Sequence, residues 1–155
     1  MVCGVDGSRP SARALEFAVS FCGRTGWRLV LVHAIRPVWA DIYAPEVAHV
    51  KADGGKRLMR RMLSEAGYTH TAKLRLITGD AAPAIASVAA QEQAGLACVG
   101  MPRGGRLKLA IAGSTVMRLI DAAHCPVVVV PAAAATTAIT SSGKEGLEWA
   151  LSLGL

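Results

Sequence analysis

The chain has 155 residues, of which 52% are hydrophobic and 18% are charged. This is enough for one domain with a core, since most domains have roughly 100 to 200 residues. The net charge of +6 favours anionic partners such as nucleotides, nucleic acid or an anionic membrane surface, although an ordinary basic surface explains it equally well. No segment approaches the ~18 uninterrupted apolar residues of a membrane span, and the start lacks a signal-peptide pattern. We therefore expect a cytoplasmic protein.

The cysteines and histidines are scattered through the chain. Cys3, Cys22, Cys98 and Cys125 form no C-x-x-C pair and lie in apolar segments. Free thiols in such segments behave as small hydrophobic residues, so we interpret all four as reduced core residues and predict no zinc site.

The first half of the chain alternates strands with helices. The apolar residues 1–5 predict a strand that stops before Asp6. Ser8 can cap the helix that follows, and Gly23 and Gly26 are predicted to end it. Residues 27–35 read as a strand buried on both faces. A helix follows at residues 46–66, which the pair Gly54-Gly55 weakens by ~1 kcal/mol per glycine relative to alanine. Four cations on its polar side form either an anion-binding stripe or a solvated face: Lys56, Arg57, Arg60 and Arg61.

The second half continues the alternation and defines the fold class. It predicts strands at 71–78, 95–100 and 125–130, with helices at 81–93 and from Ser114. The whole pattern predicts an α/β fold, with a five-stranded parallel sheet of order 3-2-1-4-5 sandwiched by helices. In that order the winding reverses between strands 1 and 4, so a ligand crevice is expected at their carboxyl ends. Asp6 and Gly100 then lie side by side.

An ordered set of short motifs resembles the universal stress protein family. They are VDGS (5–8), S-x-x-A-L (11–15), LVLVHAI (29–35), G-D-A-x-x-x-I (79–85), VG (99–100), GS (113–114) and CPVVVV (125–130). The resemblance covers a domain at residues 1–131. It implies an adenine-nucleotide-binding, Rossmann-like fold and a homodimer built on strand 5. The family contains both ATP-binding and non-binding members.

The family's phosphate loop is altered here. Its signature is glycine, two residues, glycine, nine residues, glycine, then serine or threonine. Gly100, Gly113 and Ser114 match, whereas Arg103 replaces the middle glycine and Gly104 comes one position late. Arg103 either clamps a phosphate through its guanidinium group or fills the pocket.

The resemblance also implies the site residues and the ligand. Asp6 and the backbone near Ala34 would meet ribose and adenine, and the start of the last helix would meet phosphates. The predicted site comprises Val5, Asp6, Ala34, Val99, Gly100, Arg103, Gly104, Gly113, Ser114 and Thr115. The ligand is then ATP or AMP, with Mg²⁺ accompanying ATP. The alternative is that Gly100 ends a strand, Gly104 makes a turn and Ser114 caps a helix, with no ligand.

Catalytic groups are sparse around this loop. Residues 99–115 contain no carboxylate, histidine or cysteine that could act as a general base or nucleophile. We therefore expect a nucleotide-responsive stress module, with any ATP hydrolysis slow and incidental. The alternatives are a dimeric scaffold that binds no nucleotide and a slow nucleotide hydrolase. Nucleic acid is a weaker candidate ligand, because only 5% of the residues are aromatic.

The tail at residues 132–155 differs in composition from the rest. A low-complexity linker is followed by a capping-box pattern and a short apolar helix. We expect this helix to dock on its own domain, on a second subunit or on a partner. The segment at 146–153 echoes residues 14–21, either as the start of a second repeat or by chance.

Overall fold

The computed structural model describes residues 1–37, 45–101 and 115–132. Strands and helices alternate in the order β1 (Val2–Gly4), α1 (Arg9–Thr25), β2 (Val30–Ile35), α2 (Pro45–Glu65), β3 (Lys73–Thr78), α3 (Ala81–Gln91), β4 (Ala97–Met101), α4 (115–122) and β5 (Val127–Pro131). Four predicted site residues lie outside the described ranges, as do residues 133–155 of the tail. The four are Arg103, Gly104, Gly113 and Ser114.

The strands of the described residues form one parallel sheet in the order β3-β2-β1-β4-β5, which confirms the predicted fold class and strand order. β1 is central, with Val2 paired to Val30 of β2 and to Ala97 of β4. Successive side chains of a strand point to opposite faces. The core therefore has two halves, with α1 and α2 packed on the face of Cys3, and α3 and α4 packed on the face of Val2.

Helix α1 begins and ends with local signals. The Ser8 side chain accepts a hydrogen bond from the Ser11 N–H at 3.4 Å, which satisfies one of the free N–H groups of the first turn. At the other end Gly26 has a φ of 70° and its N–H donates to the Cys22 carbonyl. The predicted stop at Gly26 is confirmed. The predicted stop at Gly23 is wrong, because the helix continues to Thr25.

Helix α2 needs a glycine where the sequence suggests only a weak point. A Cβ atom on Gly55 would lie 2.6 Å from the Cδ1 atom of Leu76 and 3.0 Å from the Cδ2 atom of His33. Gly55 therefore lets α2 lie close to β2 and β3. The neighbouring Gly54 faces open space, so the helix-propensity argument applies to that residue.

All four cysteines are free thiols. Cys3, Cys22 and Cys98 are buried, as predicted for core residues, while Cys125 is half-buried. A hydrogen bond with the thiol of Cys98, together with burial, raises the pKa of Cys3 well above its usual value. Cys3 and Cys98 are register partners on adjacent strands. The Cys3 thiol is therefore protonated at neutral pH and packs as a small hydrophobic side chain.

The cationic stripe of α2 points to solvent. Its four cations, Lys56, Arg57, Arg60 and Arg61, are all exposed, and Arg61 pairs with Glu65 at 3.6 Å. Within the described residues, no helix has the length and apolar character needed to cross a membrane.

Candidate functional site

A cavity of about 340 Å³ opens at the carboxyl ends of β1 and β4, where the winding of the sheet reverses. Its volume is within the range of about 300 to 1,000 Å³ that is typical of small-molecule sites. The structure brings six of the predicted site residues to its lining: Val5, Asp6, Ala34, Val99, Gly100 and Thr115. The crevice expected from the strand order is thus present as a cavity.

Asp6 is held by a tight turn between β1 and α1. Its Oδ1 atom accepts a hydrogen bond from the Ser8 N–H at 2.9 Å, and its own N–H donates to the Ser11 Oγ atom at 3.3 Å. The Ser11 hydroxyl in turn donates to the Ser8 carbonyl at 2.9 Å. Between them, Gly7 has a φ of 82°, a conformation that glycine adopts without strain. The VDGS sequence followed by Ser11 therefore fixes a carboxylate at the mouth of the cavity.

The carboxyl group of Asp6 is ionised at neutral pH. Partial burial raises the pKa of Asp6. Hydrogen bonds with Ser8 and Ser11, together with the nearby His33, lower the pKa by more than burial raises it. The pKa of Asp6 therefore lies below its usual value. An ionised carboxylate is an acceptor of hydrogen bonds, so it suits the hydroxyl groups of a ligand or a cation. Its low pKa makes it a weak base at neutral pH.

His33 supports the same turn from β2. Its Nδ1 atom lies 2.8 Å from the carbonyl oxygen of Val5. Since that oxygen can only accept, the Nδ1 atom carries the proton. The histidine thereby ties β2 to the residue immediately before Asp6.

The rear wall of the cavity is apolar and closely packed. Val5 and Val99 are 4% and 6% exposed, and Ala34 and Ile85 complete the wall. A Cβ atom on Gly4 would collide with the side chain of Ile85, so glycine lets α3 approach β1. A smooth apolar wall of this kind suits the face of a planar ring.

Gly100 has a packing role that its sequence pattern does not indicate. A Cβ atom there would collide with the carbonyl group of Pro10 and lie 2.7 Å from the Ser11 N atom. The absence of a side chain therefore allows the first turn of α1 to pack on β4. This contact shapes the cavity whether or not a phosphate binds beside Gly100.

One pair of charged residues beside the cavity was missed by sequence reasoning. Asp80, just before α3, pairs with Arg118 of α4 through its Oδ2 atom, at 3.3 Å from each terminal nitrogen of the guanidinium group. The sequence indicates weakly that Asp80 precedes a helix, because aspartate is common at that position. Nothing in the sequence indicates the pairing of Arg118, since its partner is 38 residues away.

The described residues offer few ligands for a Mg²⁺ ion. No group of three or more His, Cys, Asp or Glu side chains within these ranges is arranged to hold a metal ion. Mg²⁺ in nucleotide sites is held by phosphates together with one or two carboxylates. Asp6 fits that lesser role and can supply one oxygen ligand.

The fold and the position of the cavity define a parallel α/β protein with a cavity at its topological switch point, where ligands of such sheets bind. The sequence profile described as the universal stress protein family matches residues 1–131. The chain belongs to this family.

Individual relatives agree with that assignment. The chain is 31% identical over 131 residues to the universal stress protein Rv2624c of Mycobacterium tuberculosis, a match that covers 83% of this chain and 47% of the relative. The chain therefore spans about half the length of the curated relatives it matches.

Solved structures show the same fold. A universal stress protein in complex with cAMP aligns with a TM-score of 0.61 at 22% identity, over 84% of this chain and 94% of that one. A universal stress protein of Archaeoglobus fulgidus in complex with dAMP aligns with a TM-score of 0.57 at 21% identity, over 83% of this chain and 94% of that one.

Proposed function

We propose that this chain binds an adenine nucleotide in the carboxyl-end cavity and acts as a nucleotide-responsive module in a stress response. The observation that carries the proposal is the meeting of an ionised Asp6, an apolar wall and Thr115 of α4 around one cavity of about 340 Å³. The complexes of two relatives with cAMP and dAMP support the ligand class.

Each part of the cavity suits one part of the ligand. The wall formed by Val5, Ala34 and Val99 receives the adenine ring, and the Asp6 carboxylate accepts hydrogen bonds from the ribose hydroxyls. The sequence predicts that α4 begins at Ser114, and a helix start there favours the phosphates, because free N–H groups and the positive end of the helix dipole are found at helix N-termini. In the proposal the phosphate subsite is completed by four residues outside the described ranges: Arg103, Gly104, Gly113 and Ser114.

The chemistry of the site favours binding over turnover. The lowered pKa of Asp6 makes it a poor proton acceptor, and its proposed work is to hold the ribose and one position of a Mg²⁺ ion that accompanies ATP. Any hydrolysis of ATP is slow and incidental in this proposal.

We also propose a cytoplasmic location, which the four free thiols support because such thiols persist in reducing compartments.

Calorimetric titration with ATP, AMP, cAMP and adenosine tests this function. We expect binding of at least one of these nucleotides, and Asp6→Asn should weaken binding of ATP and adenosine alike by about tenfold, because it removes a charged partner of the ribose. Glu65→Gln is the matched control, since it removes an exposed carboxylate at the far end of α2. No binding at millimolar concentrations by a folded protein would contradict the proposal.

A dimeric scaffold that binds no nucleotide is the second candidate function. β5 is the edge strand of the described sheet and its residues Val127–Pro131 are partly exposed, which favours pairing with a second copy. Met117 and Ile120 on the neighbouring α4 are 57% and 46% exposed. Light scattering should give the mass of a dimer, and lysine at both Val128 and Val130 should give a monomer. Mass spectrometry of small molecules released from the denatured protein then decides between the two functions.

A further inference from the structure

An ion pair beside the cavity joins the residue before α3 to a residue of α4. Asp80 immediately precedes Ala81, and Arg118 follows Thr115 by three residues. Ala81 and Thr115 both line the cavity. The pair between Asp80 and Arg118 therefore lies next to two residues of the lining and connects α3 to α4.

This ion pair is weak. Its side chains are 56% and 51% exposed, and both nitrogens of Arg118 share a single oxygen of Asp80 at 3.3 Å. The pair between Arg75 and Glu92 is shorter, at 2.8 Å, and more buried. Exposed pairs without two parallel hydrogen bonds contribute little to stability, so Arg118 is available to a stronger anion.

Asp80 has a second partner within reach. Its backbone has the extended conformation of a helix N-cap, with a φ of −74° and a ψ of 142°, yet in the described part of the chain its side chain makes no capping hydrogen bond. An N-cap carboxylate normally accepts from the N–H of the second or third helical residue. The third residue is Pro83, which has no N–H, so the available donor is Ala82.

Helix geometry favours an Arg118 side chain that leans toward Thr115. Long side chains in helices lean toward the N-terminus, and residues three apart lie on the same face. We therefore expect Arg118 to reach the level of Thr115, where the proposed function places the phosphates. A phosphate offers more negative charge and more acceptor oxygens than the single Asp80 oxygen that Arg118 now contacts.

We propose that Arg118 recognises the phosphate group of the nucleotide and that Asp80 holds Arg118 while the site is empty. On binding, Arg118 moves from the Asp80 carboxylate to a phosphate oxygen, and the released carboxylate accepts the N–H of Ala82 and caps α3. This inference rests on the proposed nucleotide-binding function. It assigns to Arg118 the discrimination between ATP and adenosine.

Calorimetric titrations of four proteins with ATP and with adenosine test this assignment. Arg118→Gln should weaken ATP binding by about tenfold or more and leave adenosine binding within about twofold. Asp80→Asn should tighten ATP binding by about two- to fivefold, because asparagine still caps a helix but no longer competes as an anion. Arg61→Gln is the control, since it also breaks an exposed ion pair and removes one positive charge.

The outcomes separate the two proposals. If the parent binds neither ATP nor adenosine, both fail. If the parent binds ATP and Arg118→Gln behaves like Arg61→Gln, the role of Arg118 is wrong and the nucleotide site stands. Should Arg118→Gln fail to fold, Arg118→Lys keeps the charge and the helix but loses the planar fork, and we expect intermediate ATP affinity.

The hydrogen-exchange rate of the Ala82 amide distinguishes the proposed transfer from an ion pair with only a structural role. ATP should slow exchange of the Ala82 amide in the parent, because Asp80 then caps α3, whereas adenosine should leave that rate unchanged. Unchanged Ala82 exchange in a protein saturated with ATP would overturn the transfer of Asp80.

Discussion

The sheet carries a recess at each end, and the two differ in size and chemistry. The cavity at the carboxyl ends of the strands has a volume of about 340 Å³, whereas a cleft at their amino ends has about 840 Å³. Glu92 and Lys73 line the amino-end cleft, and Glu92 pairs with Lys73 at 2.7 Å and with Arg75 at 2.8 Å. At the carboxyl end, Asp6 is held mainly by hydrogen bonds within its turn, and His33 contributes less. The larger recess thus holds a carboxylate paired with cations, whereas the proposed nucleotide site is the smaller recess.

The two ends also differ in how firmly they are packed. Gly100 at the carboxyl end lies against the backbone of Pro10 and Ser11, which are fixed by helix α1. Gly95 at the amino end lies under the indole ring of Trp27, which is 42% exposed. A backbone cannot yield without moving the helix, whereas a half-exposed ring can rotate away. The proposed nucleotide site therefore lies at the more rigidly packed end of the sheet.

Matched alanine substitutions test this difference and should give the largest effect. Gly100→Ala should lower the free energy of unfolding by about 3 kcal/mol, because the new methyl group collides with backbone. Gly95→Ala should cost less than about 1 kcal/mol, since Trp27 can move. Urea denaturation measures both values. Equal losses in the two variants would contradict the contrast between a rigid and a yielding end.

Gly100 also shows what the sequence could and could not predict of the fold. The alternation of apolar runs with helical patterns was sufficient for the five strands, their order and the position of the crevice. Patterns along the chain do not reveal contacts between distant segments, so the approach of Gly100 to Pro10 was not predicted. The role of Gly55 between His33 and Leu76 was missed for the same reason.

Only part of the candidate site could likewise be predicted from the sequence. The motifs selected residues at the ends of strands, such as Asp6 and Val99, because strand ends are readable from sequence and share one edge of the sheet. The pair of Asp80 with Arg118 depends on how α3 and α4 lie relative to each other, which periodicity does not define. The ligand contacts predicted for Arg103, Gly104, Gly113 and Ser114 stay a prediction.

Replacing Asp6, at the carboxyl end of the sheet, should have the next largest effect on the free energy of unfolding. The folded pKa of Asp6 lies below its unfolded value, so its stabilisation is present above the unfolded pKa and is lost as pH falls through the folded pKa. Asp6→Asn should lower the free energy of unfolding by about 0.5–1 kcal/mol at neutral pH, a value reduced for the partial exposure of the group. Parent and variant should converge in acid, and urea denaturation at several pH values measures this. A difference that grows as pH falls would contradict the sign.

The carboxylate of the amino end should give the smallest effect and should respond differently to salt. A hydrogen bond from Lys73 outweighs desolvation and, with the charges of Lys73 and Arg75, lowers the pKa of Glu92, so its stabilisation also lies above the unfolded pKa and is lost in acid. Its partners are cations near solvent, and at 1 M salt the screening length falls to about 3 Å. The shift in urea midpoint caused by Glu92→Gln should therefore disappear in 1 M NaCl. The shift caused by Asp6→Asn should persist, because short hydrogen bonds from the turn provide most of its stabilisation. If salt removed both shifts equally, the two ends would share one electrostatic origin, and the contrast between a carboxylate held by its turn and one held by cations would be wrong.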